Sequence, residues 1–196
     1  ATIFGAKGVS NDAAIVVYDG GSQKPASRVY VVLKYLGASN VKILHKDMAT
    51  FKKSRVPLTP MAAKKKAATF TVNVDNSILA TLADVKAGNA KLFDARDANE
   101  FAGTTDKSTG HIPGAIHLSY KDVQDANHTF KTKAELEKIM AAHGVNSSSP
   151  IIVSCQSGKR AAVLYVAFTS VLGYKNVKMY DGSYNEWVAK GNKVDK

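Results

Sequence analysis

The sequence predicts an α/β fold of two similar units, each a mostly parallel sheet flanked by helices, with the first unit incomplete. Three observations predict it. A stretch near the start of the chain recurs at a constant offset of 136 without gaps: "GVSNDAAIVVYDGGSQKPASRVYVVLKYLGASNVKILHKDM" lies over "GVNSSSPIIVSCQSGKRAAVLYVAFTSVLGYKNVKMYDGSY". Each copy passes from a β-branched run through a polar loop into an apolar-periodic helix and then a second β-branched run, which is the pattern of a βαβ unit. Only the second copy is preceded by further strand and helix signals.

In the first copy, "AAIVVY" reads as a buried strand and "NVKIL" as its neighbour, with a helix between them that stops at Gly37. A glycine there suits a helix C-terminus, where the left-handed conformation is needed. The pairs Gly8/Gly144, Val9/Val145, Ile15/Ile151, Val17/Val153, Leu36-Gly37/Leu172-Gly173 and Asn40-Val41-Lys42/Asn176-Val177-Lys178 carry the repeat, and Phe51 falls on Trp187. Next, "PLTPMAAKKKAATFTVNVDNS" has linker composition. "NAKLFDAR" is then a strand running into a loop, and "GHIPGAIHLSY" a turn with a short strand. "TKAELEKIMAAHG" is an amphipathic helix, opened by a Thr132–Glu135 capping box and closed by Gly144. The second copy follows with strands "PIIVS" and "NVKMY" around a helix ending at Gly173. The division is 1–58 for the incomplete front unit, 59–78 for the linker and 79–196 for a complete domain. The chain opens without an initiator Met or a charged-then-apolar leader, so it reads as processed or shortened rather than as carrying a signal peptide. An incomplete α/β unit exposes strand edges and apolar faces. Those are expected to be covered by the second domain, by another copy of the chain, or by a noncovalently retained N-terminal fragment.

Composition narrows the function classes. Net charge is +11, mostly lysine spread along the chain, with one dense run at Lys64-Lys65-Lys66. A solvated basic surface is the plain reading, since neither aromatic RNA-reading motifs nor zinc-finger spacings accompany it. Nucleic acid and membrane are therefore not expected partners, and no run approaches the ~20 apolar residues of a membrane span. The single cysteine excludes an internal disulfide and any Cys-rich zinc site. One thiol is compatible with either cytoplasm or periplasm.

That cysteine sits in "IIVSCQSGKRAAVLY", directly after a buried strand and directly before a helix. Open α/β sheets place ligands at the carboxyl ends of their strands. Backbone N–H groups of such a turn converge into a cup. The helix N-terminus adds partial positive charge, and Lys159 and Arg160 add full charges. All three favour thiolate over thiol at Cys155, and the same cup binds anions. An inert buried thiol is the ordinary reading of a lone cysteine; the polar and basic surroundings reverse it here. At the matching position the first copy has Asp19, which cannot do thiol chemistry, so the front unit is expected to be inactive.

Three motifs then resemble the rhodanese family of sulfurtransferases: "LFDARDANEF" followed by "GHIPGAIHLSY", the loop "IIVSCQSGKRA", and the closing segment "NVKMYDGSYNEW". The front copy resembles the back part of the inactive domain in two-domain members. The resemblance implies that Cys155 attacks the outer sulfur of a donor such as thiosulfate, holds it as a persulfide, and yields it to cyanide or a thiol, with no metal or organic cofactor. Gln156, Ser157, Gly158, Lys159 and Arg160 would bind the small anionic donor. Where many two-domain thiosulfate enzymes carry a second basic residue after the D-A-R triplet, this chain has Glu100, as do many single-domain members. Mercaptopyruvate-type relatives read C-G-S-G-V-T; here Ser157 is kept and Lys159-Arg160 replace V-T, which favours thiosulfate or polysulfide-type donors.

Other residues read more plainly. Asp94 and Arg96 end a strand at the same sheet edge, either touching substrate or forming a hydrogen-bonded pair that supports the loop. His111 and Pro113-Gly114 shape a turn, and Asp181-Gly182 a turn beside the cleft. His45, His117, His128 and His143 show no metal-ligand spacing. Trp187 and Phe51 read as core. Two alternatives stay open: a noncatalytic persulfide carrier or binding module, and a Cys-dependent phosphatase or arsenate reductase. The latter need five residues between Cys and Arg, whereas Arg160 comes one position early.

Overall fold

The computed structural model describes residues 1–44, 48–54, 57 and 59–196; His45 lies outside the described residues. The front of the chain holds α1 (Thr2–Ala6), β1 (Ile15–Val17), α2 (Lys24–Tyr35), β2 (Val41–Ile43) and α3 (Met48–Lys53). Strands β1 and β2 pair in parallel with Ile15 opposite Val41, as the β-branched runs require. Helix α2 has Pro25 in its first turn, where no intrahelical N–H is lost, and ends before Gly37 at φ +93°.

The rest forms a second, larger sheet. Its elements are β3 (Leu79–Ala80), α4 (Leu82–Ala87), β4 (Lys91–Asp94), α5 (Ala98–Phe101), β5 (Ile116–His117), α6 (Lys133–Ala142), β6 (Ile151–Ser154), α7 (Lys159–Val166), β7 (Val177–Tyr180) and α8 (Ser183–Ala189). Strand order is β3-β7-β6-β4-β5 and every pairing is parallel. The Thr132–Glu135 capping box is present at α6, and Thr81–Asp84 forms another at α4. Central β6 is buried along its whole length, as a strand with helices on both faces must be.

The two parts share a core. Residues Ala161–Val166 of α7 are all buried, an all-round burial that needs a layer on each side. The sheet supplies one and α2 supplies the other: Val31 of α2 belongs to the same apolar cluster as Phe93, Val153, Leu164 and Phe168. Residues 59–78, a linker by composition, are anchored in their second half. Asn73 and Asp75 donate backbone hydrogen bonds to Leu36 and Tyr35, and Phe70 is buried against Phe4. Strand β1 keeps apolar side chains in solvent at Val16, with Tyr18 and Val29 beside it. Trp187 is buried as expected of core, while Phe51 is half-buried.

The gapless offset hides two compensating shifts. Strands and glycine stops match at 136, with Ile151 opposite Val177 as Ile15 is opposite Val41. The helices do not: α2 starts at Lys24, whereas α7 starts at Lys159, one position earlier than the offset requires. The second loop is thus one residue shorter. The helix absorbs the extra residue in a π-helical stretch, Ala167–Val171, before Gly173. Such single π turns are how a helix takes up an inserted residue without losing its faces.

Candidate active site

The short loop between β6 and α7 carries Cys155 and is held from below by the start of α8. The Cys155 N–H donates to Ser183 Oγ at 3.2 Å, and that hydroxyl donates to Tyr180 O at 2.8 Å. Tyr184 N–H donates to Cys155 O at 3.0 Å and Asn185 N–H to Gln156 O at 3.2 Å. Gln156 Nε2 donates to Asn185 Oδ1 at 2.5 Å, so the Gln156 side chain braces the loop. Ser183 adopts φ +52°, an uncommon conformation for a non-glycine residue that turns its hydroxyl under the loop. Gly158, the N-cap of α7, has φ +85°; a Cβ there would meet Asp181 Oδ1 at 2.5 Å and Arg28 Nη1 at 3.0 Å. Its N–H donates to Cys155 Sγ at 3.1 Å, an amide aimed at the sulfur.

Cys155 is only 1% exposed, and it lines an opening in the surface. That opening is a cavity of about 600 Å³ with Cys155 on its floor. Its walls come from both parts of the chain: Lys24, Pro25 and Arg28 of α2 on one side, Tyr120, Lys159 and Arg160 on the other. A further cavity of about 340 Å³, lined by Ser77, Pro150, Lys175 and Lys178 among others, opens at the opposite, amino-terminal ends of β6 and β7, away from Cys155.

The sequence assigns two full positive charges to the cup, from Lys159 and Arg160. Lys159 is exposed at the cavity and forms no ion pair among the described residues. Arg160 departs from that expectation. Its guanidinium grips Glu100 through two hydrogen bonds, at 2.5 and 2.8 Å, with Asp97 at 3.5 Å. Burial works against the Arg160 charge, but the Glu100 hydrogen bonds and the charges of Glu100, Cys155 and Asp97 outweigh it and raise its pKa above the ordinary value. The same hydrogen bonds, against burial, hold the Glu100 carboxyl below the usual carboxylate range. The physical reason is proximity: α5 puts Glu100 where a donor anion would otherwise find Arg160. Arg28 likewise spends its charge on Asp181, tying α2 to the loop after β7.

Asp94 and Arg96 form a buried pair, at 1% and 0% exposure, with Arg96 Nε and Nη2 on the carboxylate at 2.7–3.0 Å. Arg96 also donates to Ser108 Oγ and Gly110 O and lies 4.1 Å over the Tyr184 ring. The pair therefore sits behind the cavity and fastens the 108–110 segment, and Tyr184 links it to the cysteine loop. His111 Nδ1 bonds Phe101 O and His117 Nε2 bonds Arg96 O, both structural contacts. No cluster of three His, Cys, Asp or Glu side chains able to hold a metal exists among the described residues.

Ser183, Lys24, Arg28 and Tyr120 were not singled out by the sequence. Ser183 lies inside the closing motif, but its hydroxyl matters only because the backbone turns it under Cys155. Lys24 and Arg28 reach the site only because α2 packs on α7. In the front unit the place of Cys155 is taken by Asp19, whose carboxylate accepts the N–H groups of Gly21 at 2.7 Å and of Gln23 and Ala26 at 3.2 Å. That loop is an anion cup filled by its own side chain.

Residues 79–190 match the family described as rhodanese-like domain. The chain is 32% identical to the 3-mercaptopyruvate sulfurtransferase of Escherichia coli strain K12, over 94% of this chain and 68% of that one. It is 31% identical to the thiosulfate sulfurtransferase of Corynebacterium glutamicum, over 99% of this chain and 68% of that one. The crystal structure of SseA from Escherichia coli superposes with a TM-score of 0.80 at 30% identity, covering 93% of this chain and 71% of that one. With its parallel sheet, its cysteine loop and these similarities, the chain belongs to the rhodanese family of sulfurtransferase enzymes.

Proposed function

We propose that the chain moves a sulfane sulfur from thiosulfate or a polysulfide-type donor to cyanide or a thiol through a persulfide on Cys155. The observation that carries this is the Gly158 N–H on Cys155 Sγ at the floor of an open cavity. The thiolate attacks the outer sulfur of thiosulfate. The S–S bond of the donor breaks, sulfite leaves with the bonding pair, and Cys155 keeps a terminal S⁻. The loop N–H groups and the start of α7 stabilise that charge. Cyanide then attacks the outer sulfur, thiocyanate departs, and the thiolate returns; two half-reactions share one covalent intermediate. Gln156 and Gly158 shape the cup, and Ser157 and Lys159 face the incoming anion. Arg160 contributes only as far as Glu100 releases it.

Residues 1–58 are read as the back of an inactive rhodanese-like domain and 79–196 as the catalytic one. The equal strand registers and Asp19 in place of Cys155 support that division. The helix beginning only four residues after Cys155 speaks against a phosphatase loop encircling a tetrahedral oxyanion. Thiocyanate formation from thiosulfate and cyanide is the test. Multiple turnovers lost in Cys155→Ser support the proposal. A single stoichiometric discharge would make the protein a carrier, and Cys155-dependent hydrolysis of an aryl phosphate would replace the proposal.

A further inference from the structure

We infer that Asp181, gripped by Arg28 of α2, is a positioning residue for the sulfur chemistry: the ion pair buttresses Gly158 and so keeps its N–H on the Cys155 sulfur. The inference rests on the sulfur-transfer reading above. Place is the first observation. Asp181 follows β7 and stands two residues before Ser183, whose hydroxyl receives the Cys155 N–H. Arg28 meets the carboxylate with both ends of its guanidinium, Nη1 on Oδ1 and Nη2 on Oδ2, the second at 3.2 Å. The pair lies directly against Gly158, since a Cβ built there comes within 2.5 Å of Asp181 Oδ1 and 3.0 Å of Arg28 Nη1. The fork thus closes over the residue whose amide donates to the sulfur at 3.1 Å.

Need is the second. Gly158 is the N-cap of α7 at φ +85°, and it offers that helix no side-chain cap. The repeat shows the other way to hold such a loop. In the front unit the N-cap Gln23 takes the same left-handed conformation, at φ +60°. There the Asp19 carboxylate fastens the loop from inside, through the N–H groups of Gly21, Gln23 and Ala26. Cys155 stands where Asp19 does, and a sulfur is a weaker acceptor than a carboxylate. A loop built around a reactive sulfur gives up that internal fastening, and the fork on its outer side replaces it. Holding the donor in place beforehand avoids reorganisation when charge develops on sulfur. A bidentate arginine–carboxylate pair fixes direction as well as distance, which a lysine does not. The catalytically silent front of the chain then helps to aim the amide.

Charge alone predicts the opposite effect. Asp181 is an anion beside the loop, and Arg28 lines the cavity. Removing the carboxylate and releasing the guanidinium would by charge favour the thiolate. Aim and charge therefore separate by sign.

The test measures alkylation of Cys155 by iodoacetamide in the full chain at about pH 6 and about pH 9. The ratio of the two rates reports thiolate formation and cancels changes in access. The other charged or titratable groups lining the cavity, Lys24, Asp97, Tyr120, Lys159 and Arg160, are the same in every protein compared. The pH 6 to pH 9 ratio is expected to fall about threefold in Asp181→Asn, and about as far in Arg28→Lys, which keeps the charge and loses the fork. Sulfur uptake from inorganic polysulfide, followed by intact mass, is expected to slow by a similar factor, with melting curves showing that the variants are folded. Either variant decides the matter on its own. A ratio that rises or stays level in a folded variant overturns the inference while the persulfide reading stands. An unmodified protein that takes up no sulfur overturns both.

Discussion

Ser183 shows how much of this site is set by single backbone groups. Its hydroxyl takes the Cys155 N–H and gives its own proton to Tyr180 O, all in a fully buried setting. Ser183→Ala leaves both partners unsatisfied, which costs about 1–3 kcal/mol, while the Cβ at positive φ stays as in the parent. Melting is expected about 2–12 °C lower, with slower sulfur loading because the loop is no longer fixed. Ser183→Gly relieves the backbone conformation, so it is expected to melt above the alanine variant while loading equally slowly. Equal loading by all three proteins would show that the hydroxyl does not position the loop. Cys155 itself was legible in the sequence, because a strand end, a short polar loop and a helix start are local features. Ser183 was not, because φ +52° at that residue is imposed by the packing of α8.

Between α5 and α7, the Glu100–Arg160 clamp joins the two elements that flank the cavity. Glu100→Gln keeps the shape and removes the charge, so Arg160 is freed toward the cavity; kcat/KM for thiosulfate is expected to rise about threefold or more. The same variant has a signature in acid. Because the Glu100 pKa is lowered on folding, its carboxylate stabilises the fold above its unfolded value of about 4.3, and that contribution disappears as pH falls through the lowered folded value. Glu100→Gln is therefore expected to be less stable than the parent at neutral pH and to converge on it as pH falls through the lowered Glu100 value, in urea unfolding measured from neutral pH into acid. A constant gap at all pH values would place the effect elsewhere. At this scale the repeat gave strands and glycine stops, and the Thr132–Glu135 spacing gave the α6 capping box. The one-residue slip at the start of α7 was hidden, since the shorter loop and the π-helical stretch cancel in the alignment. Arg160 looked like a free cation because Glu100 lies far from it in sequence and close only across the fold.

As a whole, the molecule is less divided than its sequence suggests. A repeat separated by a linker reads as two bodies, yet α2 covers α7, Val31 lies in the main cluster, and the cavity wall over Cys155 belongs partly to the front of the chain. A chain of residues 79–196 alone bares the outer side of α7, an apolar patch with no cover. It is expected to aggregate or to melt about 10 °C or more below the full chain, and unchanged melting would show that the front part is only appended. The parallel strand pair of the front part was legible in sequence; its service to the site was not, because helix-on-helix packing between distant segments leaves no local pattern. The measurement that bears most directly on the central claim is intact mass after incubation with thiosulfate or polysulfide. A gain of about 32 Da in the full chain, absent in Cys155→Ala and reversed by cyanide, is the expected result. No gain with any sulfane donor, or the same gain in Cys155→Ala, would contradict the assignment of Cys155 as the sulfur-carrying nucleophile.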